Sequence, residues 1–287
     1  MKIAISGSHG FIASRLVESF TNENHHIIAI ERELLSSNKW QLLAKHIEKC
    51  DVVINLAGAT INQRWSQQGK AAILDSRIES TSALVKAINS LDTKPKLFIS
   101  ASAVGIYNFD VISNEQSTDF GGHFLSTVCQ KWEAEARKVS PEVRLIIPRF
   151  GVVLSNDGGA LHQILLPFKY YIGGRIGDGK QGFSWIHIDD LTEAFKLFLT
   201  DERASGPINL TAPQNTDNQM LTNTISGLMI RPTWMPVPAF VLNLILGERA
   251  EIITKGAKIY PNVLYYLGFN FKYPTIDKAL LDLLKKH

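Results

Sequence analysis

Lys2-Ile3-Ala4-Ile5-Ser6-Gly7-Ser8-His9-Gly10-Phe11-Ile12-Ala13 sets the architecture. A short apolar run, Ile3 to Ile5, meets Gly7-x-x-Gly10-x-x-Ala13, after which Phe11, Ile12, Leu16, Val17 and Phe20 recur at helical spacing. Strand, glycine turn and helix in that order are the setting a dinucleotide-binding fingerprint requires. Gly7 permits the tight turn. Gly10 lets backbone approach a pyrophosphate closely, at an angle that only glycine accepts, and Ala13 lets the helix pack on the strand. The expected pyrophosphate site is therefore Gly7, Ser8, His9, Gly10, Phe11 and Ile12, with unpaired helix N–H groups facing the anion. The alternative is an ordinary strand-to-helix turn with two glycines.

Working outward, His26 to Ile30 reads as a second strand that ends in Glu31-Arg32. The adenosine ribose of a dinucleotide lies over this end. An acidic side chain there bonds the 2′-hydroxyl of NAD, whereas an arginine accommodates the 2′-phosphate of NADP. Glu31 favours NAD; Arg32 and the basic His9 favour NADP, which is the expected cofactor with NAD admitted. Trp40 to Lys49 reads as a helix, and Asp51 to Gly58 as a buried strand whose small end, Leu56-Ala57-Gly58, lets a cofactor lie against backbone. A long helix is expected from Ser66 to Ser90, then a strand from Lys96 to Ser100 leading into Ser102 and Tyr107.

Thr127 to Val139 reads as a helix and Val143 to Arg149 as a strand. The loop Gly173 to Gly182 carries Arg175 and Lys180, and suits either an anionic substrate or a surface hairpin turn. Trp185 to Ile188 is a short strand containing His187, read as a hydrogen-bonded structural histidine in preference to a catalytic base. Asp190 and Glu193 have capping-box spacing and are expected to start a helix. Strands alternating with helices imply a parallel sheet with right-handed crossovers, and ligands bind at the carboxyl ends of its strands. Gly7, Gly58, Ser100 and Ser102 all fall at such ends.

The 287 residues suffice for one large α/β domain with a smaller appendage, and contents of 45% apolar and 20% charged are ordinary for a globular chain. A formal charge of +3, with no basic run except Lys285-Lys286-His287, argues against a nucleic-acid partner. Cys50 and Cys129, the two cysteines, offer neither a disulfide framework nor metal-ligand spacing, so a reducing, cytoplasmic location and no metal are expected. The apolar run after Lys2 stops too early for a signal peptide. The run from Val237 to Leu246, broken by Pro238 and Asn243, is too short to span a membrane.

The chain resembles the extended short-chain dehydrogenase/reductase superfamily, and within it the atypical "epimerase family protein" group, similar to nucleotide-sugar epimerases. Ser6 to Ile12, Asn55 to Gly58, Arg64-Trp65, Ser76-Arg77, Cys129, Trp132-Glu133, Arg149 to Leu154 and Trp185 to Asp190 carry the likeness. Val237 to Ala239, Leu246 to Glu248 and Gly268-Phe269-x-Phe271 extend it to the C-terminal part. The resemblance implies a Rossmann-type doubly wound parallel sheet, with an NAD(P)-binding domain over 1–218 (substrate-side loop near 166–183) and a smaller C-terminal substrate-side domain over 219–287.

The superfamily's catalytic set is a serine with Tyr-x-x-x-Lys. The tyrosine moves the proton at the substrate oxygen; the lysine lowers its pKa and holds the nicotinamide ribose. Ser102 sits where the serine belongs. No tyrosine lies between Tyr107 and Tyr170, and Lys131, the candidate for the ribose-holding lysine, has Thr127 four residues before it. The register of Trp132-Glu133 puts Cys129 near the lysine position instead. Tyr107 is the nearest aromatic hydroxyl and the stand-in proton group. The expectation is an NADP-dependent, epimerase-like oxidoreductase acting on a polar or anionic small molecule, a nucleotide sugar among the candidates. The rival is an NADP-sensing module that regulates a partner protein. The oligomeric state stays open, a homodimer among the options.

Overall fold

The computed structural model describes residues 1–109, 111–233 and 236–285; Lys286 and His287 of the terminal basic run lie outside the described residues. β1 (Lys2–Ser6) leads into α1 (Phe11–Asn22), β2 (His26–Ile30), α2 (Trp40–Ile47), β3 (Val52–Asn55), α3 (Gln67–Ser90) and β4 (Leu97–Ser100). Then come β5 (Ser102–Ala103), β6 (Ile112–Ser113), α4 (Phe124–Ala136), β7 (Arg144–Phe150), β8 (Val152–Leu154) and α5 (Leu161–Lys169). They are followed by β9 (Trp185–His187), α6 (Ile188–Thr200) and β10 (Gly206–Leu210). The remainder is α7 (Asn218–Met229), α8 (Ala239–Leu246), α9 (Glu251–Thr254), β11 (Lys258–Ile259), α10 (Asn262–Tyr266) and α11 (Ile276–Lys285).

Two compact units result. The first comprises Met1–Ile106, Gly122–Arg149 and Phe195–Ile208; the second comprises Tyr107–Gly121, Phe150–Ala194 and Asn209–His287. The first is built on a seven-stranded sheet among the described residues, in the order β10-β7-β4-β3-β1-β2 with β5 beside β7. The pairings β1 with β2, β1 with β3, β3 with β4 and β4 with β7 are all parallel. Ile3, Ala4 and Ile5 are buried in succession, as are Val52 to Ile54 and Leu97 to Ile99, so both faces of the central strands are covered. Leu43, Ile47, Val53, Leu84, Ile88 and Phe98 pack together in this unit's core. β1 lies between β2 and β3, so the chain reverses its direction of winding there. This is the doubly wound, Rossmann-type α/β arrangement, a class in which ligands bind outside the strand ends at such a reversal.

The second unit holds two parallel strand pairs, β8 with β9 and β6 with β11. Its core joins Leu154, Leu161, Phe168 and Trp185 to Leu221, Ile225, Ile276, Leu280 and Leu283. The Gly173–Gly182 loop is no hairpin: it connects α5 to β9. Its Ile176 N–H donates to Asn218 Oδ1 at 2.7 Å, and its Gly182 N–H to Gly256 O at 2.9 Å. Arg175 reaches Gln219 Oε1 at 3.1 Å. His187 accepts from the Asp189 N–H at 3.1 Å and stacks on Tyr273 with ring centroids 3.8 Å apart.

Asp190 departs from the capping-box expectation. α6 already begins at Ile188, and the buried Asp190 carboxylate accepts from the backbone N–H groups of Lys272 (2.8 Å) and Tyr273 (3.0 Å). Burial pushes its protonation range up, partly offset by those two donors. Asp190→Ala leaves both N–H groups without their acceptor. It should destabilise the protein by roughly 2–3 kcal/mol in denaturant titration, and a change within experimental error would show that the 272–273 segment holds without it.

Candidate functional site

In the first unit, Ser6 pairs in register with Asn55, and Asn55 with Ser100, so a polar row closes the carboxyl edge of β1, β3 and β4. Ser6 Oγ donates to Asn55 Oδ1 (2.7 Å), Asn55 Nδ2 donates to Thr81 Oγ1 (2.9 Å), and Trp132 Nε1 donates to the same Thr81 oxygen (2.9 Å). The Ser100 hydroxyl is buried at the end of β4 and is left without a hydrogen-bond partner among the described residues.

The glycine turn lies at the end of β1. Gly7 has φ +69°, and a Cβ there would stand 3.0 Å from Leu56 O and 3.2 Å from Ala57 N, so both its backbone angle and its space demand glycine. Gly10 differs from expectation. Its φ of −73° suits any residue, and the constraint is instead the 3.0 Å distance from a Cβ to Gly7 O. Gly10 N–H donates to Gly7 O at 2.8 Å, which closes the turn. Gly10 is also the N-cap of α1 and no side chain caps that helix, so the N–H groups of Phe11 and Ile12 start it unopposed. Ser8 and His9 form the turn's outer edge, their side chains 3.4 Å apart. Glu31 and Arg32 follow β2 with exposed side chains. A dinucleotide fits these donors: an uncapped helix start, a turn with room for no side chain, and an orphaned hydroxyl two strands away.

Leu56, Ala57 and Gly58 follow β3. The close approach at Gly58 is made by the chain itself, since a Cβ there would meet the Arg77 guanidinium carbon at 3.1 Å. Ser102 is buried, and its hydroxyl donates to Glu133 Oε1 at 2.8 Å. Glu133 also receives Arg149 through Nε (2.7 Å) and Nη2 (2.8 Å), and Arg137 at 3.2 Å. Beside this cluster the Cys129 thiol is pushed up to about 11, chiefly by burial and then by Glu133, so it is uncharged at neutral pH and no nucleophile.

Lys131 lies on the exposed face of α4, while Val128, Cys129, Trp132 and Glu133 form the buried face, so the structure does not bring it to the site. Tyr107 is fully buried in the second unit, where its hydroxyl donates to Asn209 Oδ1 at 2.8 Å and leaves no open face for a proton-transfer partner. Arg77, Glu133 and Arg149 escape a reading by spacing. The available signal was Arg149 at the end of the apolar run Leu145-Ile146-Ile147, where a charge needs a partner.

The sequence profile of the NAD dependent epimerase/dehydratase family matches residues 3–210. The chain belongs to that family. A domain of unknown function (DUF1731) matches residues 237–283 of this family member. An epimerase family protein of Staphylococcus aureus (strain MRSA252) is 39% identical over 98% of each chain. Human epimerase family protein SDR39U1 (isoform 2), solved with NADPH, superposes with a TM-score of 0.91 at 31% identity over 100% of both chains. A nucleoside-diphosphate sugar epimerase from Corynebacterium glutamicum matches with a TM-score of 0.81 at 30% identity, over 100% of this chain and 59% of that one. Among the described residues no helix is long and apolar enough to cross a membrane, and no His, Cys, Asp and Glu cluster has metal-binding geometry.

Glu133→Gln removes the charge that both Arg149 and the Ser102 hydroxyl face. Breaking a buried pair at one partner typically costs about 3–5 kcal/mol, and urea unfolding should show a loss of that size. A loss below about 1 kcal/mol would place Glu133 among surface-type pairs.

Proposed function

We propose that the protein binds NADP along the carboxyl edge of its sheet and acts as an epimerase-like oxidoreductase on a small polar or anionic molecule, a nucleotide sugar being the class indicated by the Corynebacterium relative's name. The carrying observation is the tight Gly7–Gly10 turn running into an uncapped α1 at the point where the sheet reverses. The human relative solved with NADPH supports the choice of dinucleotide. The turn from Gly7 to Ile12 holds the pyrophosphate, chiefly through the unopposed N–H groups of Phe11 and Ile12 at the start of α1, and Arg32 with His9 takes the 2′-phosphate. Glu31 would suit the hydroxyl of NAD. Leu56 to Gly58 and Ser100 bound the nicotinamide side. Bound there, the nicotinamide supplies a hydride acceptor or donor. For turnover, Ser102 turns its proton from Glu133 to the substrate oxygen.

A second reading, an NADP-sensing module, is favoured by one specific observation. The single proton of Ser102 is already committed to a carboxylate shared with two arginines.

Calorimetry tests the cofactor. NADPH should bind more tightly than NADH by roughly ten- to a hundredfold, the worth of a charge-assisted contact. Arg32→Ala should erase that margin and leave NADH unchanged; equal wild-type affinities would remove Arg32 from the role. Gly10→Val should bind neither nucleotide, because its Cβ, 3.0 Å from Gly7 O, and its two methyl groups crowd the turn against the pyrophosphate, while circular dichroism should show the fold retained. Binding retained by that variant would overturn the site.

Turnover separates enzyme from sensor. Without a lowered-pKa phenol, about 10²–10⁴-fold of general acid–base help is missing. Nicotinamide absorbance followed across nucleotide sugars and simple carbonyls should show slow turnover that Ser102→Ala abolishes. Robust turnover surviving that substitution would move the chemistry elsewhere, and tight NADPH binding with none at all would favour the sensor.

A further inference from the structure

Among the described residues the large apolar side chains left exposed divide unevenly: Met1, Leu42 and Ile61 belong to the first unit, and all the others to the second. The densest run follows α5, where Tyr170, Tyr171 and Ile172 stand in succession at 69%, 56% and 71% exposure. Leu166, one turn earlier on α5, is exposed as well. α7 packs beside α5, and its end carries the exposed Leu228 and Ile230, the latter 85% exposed. The two ends meet, because the Arg231 guanidinium lies over the Tyr171 ring, 4.3 Å from its centroid.

Both helix ends close in the same unusual way. Ile230 caps α7 at φ +54° and ψ +49°, and Tyr171 follows α5 at φ +61°. Glycine or asparagine ordinarily fills this left-handed region at a helix end, and a β-branched residue occupies it at a steric cost. Ile230 therefore combines a strained backbone with an apolar side chain held in water, and a glycine would remove both penalties. Such a side chain gains free energy only when another surface covers it.

Size and composition select the occupant. The six exposed side chains present roughly 750 Å², close to the ~800 Å² that one partner contributes to a stable interface. Tyrosine, apolar residues and a stacked arginine are the composition of an interface core. Residues 166–172 and 228–231 contain no Asp or Glu, so the patch has no anion with which to recruit a basic partner. A two-fold pair needs only a patch that suits itself, and a surface of tyrosine, leucine and isoleucine does. We propose that the chain forms a two-fold homodimer through the ends of α5 and α7, with Tyr170, Ile172 and Ile230 at the centre of the interface. Lys169 and Arg231, the cations of these segments, approach their own copies across such an axis, and added salt screens a repulsion there.

Sedimentation velocity of the full chain across a concentration series tests this. Wild type should dimerise reversibly at micromolar concentrations, and raising sodium chloride should not weaken the association. Ile230→Gly should weaken dimerisation by about tenfold or more, yet raise the thermal unfolding midpoint of the monomer because the backbone strain is relieved. Ile172→Asp should weaken the dimer at least as much while the circular dichroism stays that of wild type. Wild type that stays monomeric at every concentration overturns the proposal; if that monomer floats with phosphatidylcholine–phosphatidylserine vesicles, the patch belongs to a membrane surface instead. A dimer that neither substitution weakens uses another face, and one that dissociates as salt rises is held by ion pairs this patch does not make. Either result overturns the assignment.

Discussion

Three parallel strands stop at the same level, and what happens to the polar groups at that edge governs the rest of the first unit. Beyond the last ladder bond, backbone N–H groups need acceptors, and water is excluded from much of the space. Ser6 and Asn55 meet this need from within. The Leu56 N–H donates to Ser6 Oγ (3.2 Å) and the Ala57 N–H to Asn55 Oδ1 (3.3 Å). Asn55 passes the chain of bonds to Thr81 on α3, which also receives Trp132 from α4. One buried network therefore fixes the path of residues 56–57, and that path leaves Gly7 no room for a side chain. The tightness of the turn follows from this edge as much as from the glycine itself.

Glu133 is the second organising point. Its carboxylate faces Arg149 and Arg137 together with the Ser102 hydroxyl, so the interior of α4 is polar where its neighbours Val128 and Trp132 are not. A helix that buries a carboxylate must orient it, and this one is oriented by a strand residue, Arg149. The charge near the candidate chemistry is thereby allocated: Glu133 offsets the buried Arg149, and Arg137 adds a further cation at the surface.

Local features of the fold were legible in the residues. The β2 range matched residue for residue, because a four-residue apolar run, Ile27 to Ile30, bounded by polar groups leaves few alternatives. α4 began at Phe124 and not Thr127, since His123 caps it by accepting from the Ser126 N–H at 3.3 Å, a role its side chain does not advertise. The glycine turn was readable as a pattern, yet the residue needing φ > 0 turned out to be Gly7 and not Gly10. What could not be read were partnerships across sequence distance. Asp190 resembled a cap, but its partners lie more than eighty residues on; Glu133 and Arg149 each had a place in a motif, and nothing in the spacing joined them.

The division of the chain also has a consequence for its synthesis. The first unit is complete once residue 208 has been made, but the second must wait for residues up to about 283. At ordinary elongation rates the gap is on the order of ten seconds. Through that interval Leu154, Leu161, Phe168 and Trp185 lack the α11 residues Ile276, Leu280 and Leu283 that cover them in the finished protein. The nascent chain thus carries a finished nucleotide fold with unsatisfied apolar segments looped from it, a species that invites chaperone capture or aggregation until its last helix emerges.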